Sequence, residues 1–183
     1  MSLFKLPEVA SVPMSLYKSL QGRYFVGYAD NLSFGRGTNA WAGLFNPCES
    51  KIKLFVNVIT VTGIGTSPIR AQIWFNTEAP GEPTVSELVT PSNTSLTPLP
   101  KPKVKILEAS MVTGEPKGGI KAFVRRSEPE ITVVFEEDGK YIFKACGNLV
   151  VFLSAEDPNT AMQGRVAFGW WEDKNIPKLK KIK

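Results

Sequence analysis

Residues 51–62 read KIKLFVNVITVT, and this stretch decides the fold class. Its apolar side chains Ile52, Leu54, Val56 and Val58 recur at every second position. A period of two is the pattern of a β-strand that buries one face and exposes the other. The stretch therefore predicts a long strand with one face on the core.

The segments that follow this strand repeat the period-two pattern. Residues 69–76 place Gln72 and Trp74 opposite an apolar face, so Trp74 is predicted on the polar face of its strand. Leu149 to Leu153 is apolar at every position, which predicts a strand covered on both faces. Two shorter segments predict half-buried strands whose apolar faces consist of Val104, Ile106, Ile120, Ala122 and Val124.

Residues 131–145 read ITVVFEEDGKYIFKA and contain Asp138-Gly139 between two apolar runs. An Asp-Gly pair supplies the positive φ angles of a type I′ turn, whose twist suits two antiparallel strands. The segment therefore predicts a β-hairpin in which Phe135 faces Ile142.

The last predicted strand, residues 165–171, contains the adjacent Trp170 and Trp171. Neighbouring strand residues point to opposite faces, so one of these indoles lies on the sheet exterior. Exterior aromatics can fill a subunit interface or stack on a sugar ring, which makes Trp74 and Trp171 candidate contact residues. The short strands and their Gly, Pro, Asn and Asp separators predict an all-β fold, an antiparallel jelly-roll-like β-sandwich of about 8–10 strands.

The predicted sandwich occupies residues 24–173, between an N-terminal arm (1–23) and a basic tail (174–183). Residues 77–103 contain six of the fourteen prolines. We interpret them as a long crossover loop within one sandwich. The alternative is a flexible linker between two domains of about 75 residues, each of which would bury little surface.

The composition argues against catalysis. The 183 residues include no histidine, which is the commonest general acid or base and the commonest metal ligand. Zinc sites and Ser-His-Asp or Cys-His catalysis are thereby excluded. The net charge of +5 resides in the tail: without its five lysines, 17 basic residues balance 17 acidic ones. The prediction is a protein that is not an enzyme, with no catalytic residue, metal or cofactor.

Cys48 and Cys146 each precede a predicted strand, so both are expected at one end of the sandwich. They can form a disulfide if their Cα atoms approach within roughly 7 Å. Two free thiols in a reducing cytoplasm are the alternative. The pattern alone leaves both states open.

The N-terminal residues MSLFKLPEVASVP do not form a secretory signal, because Lys5 and Pro7 interrupt the apolar run. No segment has the length of a membrane span. Synthesis in the cytoplasm is expected, with later incorporation into a larger structure left open.

The N-terminal arm is too apolar to be expected free in water. It is predicted to pack on a neighbouring copy in a ring, shell or filament, and folding back on its own sandwich is the alternative. Its candidate interface residues are Leu3, Phe4, Leu6, Val9, Val12, Leu16 and Tyr17.

Three segments resemble a family of small uncharacterised bacterial proteins, mainly from spore formers. They are GLFNPCESKIKLFVNVITVTGIGTSPIRAQIWFNTEAPG (43–81), TPSNTSLTPLPKPKV (90–104) and RVAFGWWED (165–173). The LFNP opening before a long apolar strand is also similar to jelly-roll subunits of virions, tail fibres and spore-surface appendages. The resemblance implies a jelly roll that self-assembles into a particle, fibre or spore surface, and it carries no catalytic or metal-binding residues.

These observations predict a non-enzymatic, self-assembling structural subunit whose main partner is another copy of itself. The alternative is a carbohydrate-binding, lectin-like module that uses exposed aromatics, namely Trp74, Trp171 or tyrosine residues, as a stacking platform. The basic tail could contact an anionic surface through its lysines. Nucleic acid is not an expected partner, because no aromatic residue lies among those lysines.

Overall fold

The computed structural model of the chain describes residues 11–174. This part consists mainly of strands, together with a short helix near its N-terminal end. The elements are α1 (Met14–Leu20), β1 (Tyr24–Gly35), β2 (Asn39–Phe45), β3 (Lys53–Ile64), β4 (Ile69–Phe75), β5 (Thr84–Val85), β6 (Val89–Pro91), β7 (Lys105–Val112), β8 (Ile120–Ser127), β9 (Thr132–Phe143), β10 (Asn148–Ala155) and β11 (Ala161–Asp173).

The strands form two antiparallel sheets that pack face to face. The five-stranded sheet has the order β6-β1-β11-β3-β9, and the six-stranded sheet has the order β5-β7-β2-β10-β4-β8. Apolar side chains from both inner faces, including Ile59, Leu149 and Trp170, form one core cluster. The predicted antiparallel, jelly-roll-like β-sandwich is confirmed. Between residues 11 and 174 no helix is long and apolar enough to cross a membrane.

Strand β10 has its two faces covered, as its sequence predicts. It lies between β2 and β4, and Leu149 to Leu153 are all buried. Val150 and Phe152 pack on the outer side of the sheet in a cluster with Trp41. The Trp41 Nε1 donates a hydrogen bond of 2.7 Å to the carbonyl of Pro80. The beginning of the proline-rich stretch thus covers this outer face.

The proline-rich stretch 77–103 also closes one side of the sandwich. Its strand β5 pairs with β7 at the edge of the six-stranded sheet, and its strand β6 pairs with β1 at the edge of the five-stranded sheet. Strands β1 and β7 contact each other across the sandwich, so both covered edges lie on the same side. Short strands with nearby prolines are a common means of blunting a sheet edge.

The hairpin predicted at Asp138-Gly139 is wrong. Strand β9 continues through these residues, and both of its halves pair antiparallel with β3, with Phe135 opposite Ile59 and Ile142 opposite Phe55. The residues between the halves form a bulge in which the φ angles of Asp138 and Gly139 are 48° and 75°. Positive φ angles therefore serve a bulge instead of a chain reversal.

The pattern-based assignment of Val58 to the core is also wrong. Relative to β11, strand β3 contains one extra residue at Asn57, because Val56 pairs with Trp170 and Val58 pairs with Gly169. A bulge shifts the period-two alternation by one residue. Consequently Ile59 enters the core, and Val58 lies on the outer face.

Strand β8 shows the same kind of correction. Its neighbour is β4, on which Ile73 pairs with Phe123 and Trp74 pairs with Lys121. Ala122 has no partner on β4, so β8 contains one extra residue at this point. As a result Phe123 packs against the core, whereas the predicted core-facing Val124 is exposed. The apolar residues of this strand are thus left largely on the surface.

Glu172 ties the end of the proline-rich stretch to β11. Its buried carboxylate accepts hydrogen bonds from the backbone N–H groups of Lys103 and Val104, both at 2.9 Å. Burial raises the pKa of the Glu172 carboxyl, and the two N–H groups oppose that shift. The folded chain therefore binds a proton at Glu172 more tightly than the unfolded chain does.

We expect Glu172→Gln to become progressively more stable relative to the wild type as pH rises from about 3.5 to 7. The contribution of Glu172 to stability is complete below its unfolded pKa and is lost as pH rises through the raised folded pKa. Glutamine keeps an acceptor oxygen but does not titrate, and all other ionisable groups cancel in the comparison. Urea unfolding of both proteins at stepped pH measures the difference, and a difference that stays constant or falls with pH would contradict the assignment.

Candidate interaction surfaces

Only part of the N-terminal arm, residues 11–23, lies within the described residues. Leu3, Phe4, Leu6 and Val9 lie outside them. The remaining candidates lie within them, and all are exposed: Val12, Leu16 and Tyr17.

Helix α1 is attached to the sandwich through polar side chains. The Nζ of Lys18 lies 2.5 Å from Oδ2 of Asp173, and the hydroxyl oxygens of Ser19 and Ser92 are 2.8 Å apart. Lys18 is itself buried. The helix thus presents apolar side chains to solvent, which makes its surface a candidate contact for another molecule.

Trp171 is not an exposed aromatic, contrary to the sequence-based expectation. It lies on the outer face of the five-stranded sheet but is only 5% exposed. Its ring stacks on Phe55 at a centroid distance of 5.4 Å and lies 6.5 Å from the ring of Tyr24. Gly139 in the β9 bulge covers it so closely that a Cβ atom there would come within 2.0 Å of the indole Cη2. Trp171 therefore has no free face for a sugar ring.

Trp74 lies on the outer face of its strand beside Arg70 and Gln72, as predicted, and its Nε1 donates a hydrogen bond of 3.1 Å to the Oε1 of Gln72. Trp74 is half-buried and packs against the cluster around Trp41 and Phe152. The Nζ of Lys121 lies 4.8 Å from its ring centroid, within the range of a cation–π contact. The outer positions of the neighbouring strand β10 are apolar, and one of them, Val150, is the pairing partner of Trp74.

Cys48 and Cys146 form a disulfide, with their Cα atoms 4.3 Å apart. The bridge joins the connection from β2 to β3 to the connection from β9 to β10, and both connections run between the two sheets. Both cysteines lie at the same end of the sandwich, and the alternative of two free thiols does not hold in this structure.

One side of the sandwich carries two long, unpaired edge strands, which we call the open side. It consists of β8, at the end of the six-stranded sheet, and β9, at the end of the five-stranded sheet. The ring of Phe123 on β8 lies 6.1 Å from that of Phe135 and 6.2 Å from that of Tyr141 on β9, so the two edges are neighbours. Each presents a row of backbone N–H and C=O groups for which residues 11–174 supply no partner strand.

Exposed β-branched side chains line the open side. Their exposed fractions range from 36% to 63%, and the residues are Ile120, Val124, Ile131 and Val134. Sequence analysis missed this surface, because the identity of an edge strand depends on the strand order. The local pattern showed that Ile120 and Val124 were apolar but assigned them to a buried face.

The outer face of the five-stranded sheet contains a shallow apolar groove of about 500 Å³. Its floor is formed by small residues of β11, and a Cβ atom at Gly169 would lie 2.5 Å from the hydroxyl oxygen of Tyr24. Val26, Val58 and Leu88 contribute apolar walls. Such a lining suits an apolar side chain better than a sugar or an ion.

A family model described as a family of unknown function (DUF6143) matches residues 2–178. The comparison with curated proteins and the comparison with solved structures gave no match.

Proposed function

Because the chain belongs to DUF6143, whose description assigns no activity, we propose from its own surfaces that it is a non-enzymatic structural subunit that self-associates through the open side. The partner in this proposal is another copy of the same chain. The assembly would be a particle, fibre or spore-surface component, as the resemblance to jelly-roll subunits implies.

The contrast between the two sides of the sandwich carries this proposal. On one side β5 and β6, only two and three residues long, cover the edges of β7 and β1. On the other side β8 and β9, eight and twelve residues long, are uncovered by any strand of residues 11–174. Long exposed edges with β-branched side chains are templates for pairing with another chain. A fold that blunts one pair of edges and leaves the other open is suited to association at the open pair.

Two further surfaces support assembly beyond a single contact. Helix α1 presents Leu16 and Leu20 to solvent, and the groove on the outer sheet face accepts apolar side chains. A subunit of a shell or fibre needs at least two separate contacts to propagate. The Cys48–Cys146 disulfide supports a final location outside the reducing cytoplasm in which the chain is made.

The carbohydrate-binding alternative has less support. Of its two tryptophan platforms, Trp171 is buried and Trp74 is half-covered by Lys121 and the cluster around Trp41. A stacking platform requires a free ring face, so neither indole is suited to that role.

Val134→Lys is expected to weaken self-association at least about tenfold, because it places a charge among apolar side chains on the open side. Val85→Lys is the matched control: the two valines are 55% and 50% exposed, but Val85 lies on the closed side. Both substitutions are on the surface and should change the free energy of unfolding by less than about 0.5 kcal/mol.

Light scattering coupled to size exclusion tests this proposal. The wild type and Val85→Lys should show a concentration-dependent mass above the 20.1 kDa of one chain, and Val134→Lys should shift toward that mass. A wild type that stays monomeric at every concentration would refute the proposal, as would a Val134→Lys variant that associates like the wild type.

A further inference from the structure

The two strands of the open side carry opposite charge. Strand β8 contains Lys121, Arg125 and Arg126 and no acidic residue. Strand β9 contains three acidic residues, Glu136 to Asp138, and a single basic one. At neutral pH, β8 therefore carries a formal charge of +3 and β9 carries −2. The open side is a basic edge beside an acidic edge.

Part of this charge is not neutralised within the chain. Arg126 pairs with Glu128 and Glu156, and Lys121 lies 3.8 Å from a carboxylate oxygen of Glu115. Among the ion pairs within residues 11–174, none includes Arg125 or Glu136. Both side chains are exposed, and the guanidinium of Arg125 lies 4.8 Å from the ring centroid of Phe123.

Strands β8 and β9 run in opposite directions. They are consecutive in the chain, and near their connection the Ser127 hydroxyl donates a hydrogen bond of 2.7 Å to the carbonyl of Ile131. Further from the connection, Phe123 lies beside Phe135. The two sheets of a sandwich are nearly aligned, so β8 and β9 lie side by side and antiparallel to each other.

Two copies can join their open sides about a two-fold axis in two ways. An axis perpendicular to the sheets brings β8 against β8 and β9 against β9, so like charges face each other, which is destabilising. An axis along the strands brings β8 of each copy against β9 of the other. In that arrangement the paired strands are antiparallel, each sheet continues into the other copy, and opposite charges meet.

We propose that β8 of one copy pairs with β9 of a second copy, and reciprocally, in a closed two-fold dimer. This inference rests on the proposed self-association and specifies its geometry. We place Val124 beside Val134 of the second copy, so that Phe123 lies opposite Phe135 of that copy. The next residue, Glu136, then lies opposite both Lys121 and Ala122, because Ala122 is the extra residue of the β8 bulge. The centre of each junction is then apolar, and an ion pair lies next to it. Both edge strands of the open side are paired in this dimer. Larger assemblies would therefore form through other surfaces, such as α1 and the groove on the outer face of the five-stranded sheet.

Charge exchange tests the pairing. Lys121→Glu alone and Glu136→Lys alone each place like charges together at both junctions and should weaken the dimer about tenfold. The double variant restores an opposite-charge pair and should return to within about threefold of the wild-type affinity, measured by sedimentation equilibrium. If the double variant loses as much dimerisation free energy as the two single variants together, the β8–β9 pairing is overturned.

Zero-length carbodiimide cross-linking of mixed ¹⁴N and ¹⁵N chains provides a second readout. We expect a mixed-isotope peptide pair that joins Lys121 to Glu136. If the wild type associates but such pairs connect other segments, the inference fails and the proposed self-association stands. If the wild type is monomeric, both fail.

Discussion

Replacing Trp171 with alanine is expected to lower the free energy of unfolding by about 3–5 kcal/mol. The indole is 5% exposed and stacks on Phe55, and the β9 bulge at Gly139 lies directly over it. Alanine would leave a cavity beneath the bulge that the paired halves of β9 cannot easily fill. Equilibrium unfolding in urea, followed by circular dichroism, measures the loss.

Trp74→Ala is the matched control for this substitution. Trp74 also lies on an outer sheet face but is only half-buried, so its loss is expected to be less than half that of Trp171. A loss below about 1 kcal/mol for Trp171→Ala would contradict its structural role. Such a small loss would favour the original prediction that Trp171 is an exposed contact for a glycan or a subunit.

Removing the disulfide with Cys48→Ser and Cys146→Ser together is expected to lower the free energy of unfolding by about 2–5 kcal/mol. The bridge closes a loop with a sequence separation of 98, so it restricts the unfolded chain over more than half of its length. It also joins the β2–β3 connection to the β9–β10 connection, and each of these connections runs between the two sheets. The effect is therefore expected on global unfolding and not only on the local turn.

The measurement is urea unfolding of the double variant beside the oxidised wild type. The reduced and alkylated wild type serves as a second comparison and should fall close to the double variant. An unfolding midpoint that is the same with and without the bridge would contradict this prediction.

The strands that the sequence predicts best are those whose partners are also regular. In 149–153 every apolar residue is buried, and in 165–171 the alternating Val166, Phe168 and Trp170 are buried, because each segment lies in the interior of its sheet between two neighbouring strands. There the hydrophobic pattern and the tertiary contacts favour the same register. The overall fold class followed from such segments.

The local pattern failed where a distant contact decides the outcome. Asp138-Gly139 suits a type I′ turn or a bulge equally well, since both use positive φ angles. The bulge forms because β3 is long enough to pair with both halves of β9 and because the bulge covers Trp171. Neither partner is near these residues in sequence, so the hairpin prediction and the expectation of an exposed Trp171 failed together.

The candidate site was only partly visible in the sequence. The apolar residues of the arm were evident, and Leu16 and Tyr17 of α1 are exposed, while their contact with another molecule stays a prediction. The open side was not evident, although the basic run at 121–126 and the acidic run at 136–138 are plain in the sequence. Their proximity depends on strand order, which arises from pairings across the whole chain.

Hydrogen–deuterium exchange at two protein concentrations, one well below and one well above the midpoint of association, tests the central claim most directly. If copies meet at the open side, amides of β8 and β9 should become protected at the higher concentration, whereas those of β5 and β6 should exchange at the same rate at both. Protection that does not change with concentration in β8 and β9, or that appears only in other segments, would contradict self-association through the open side.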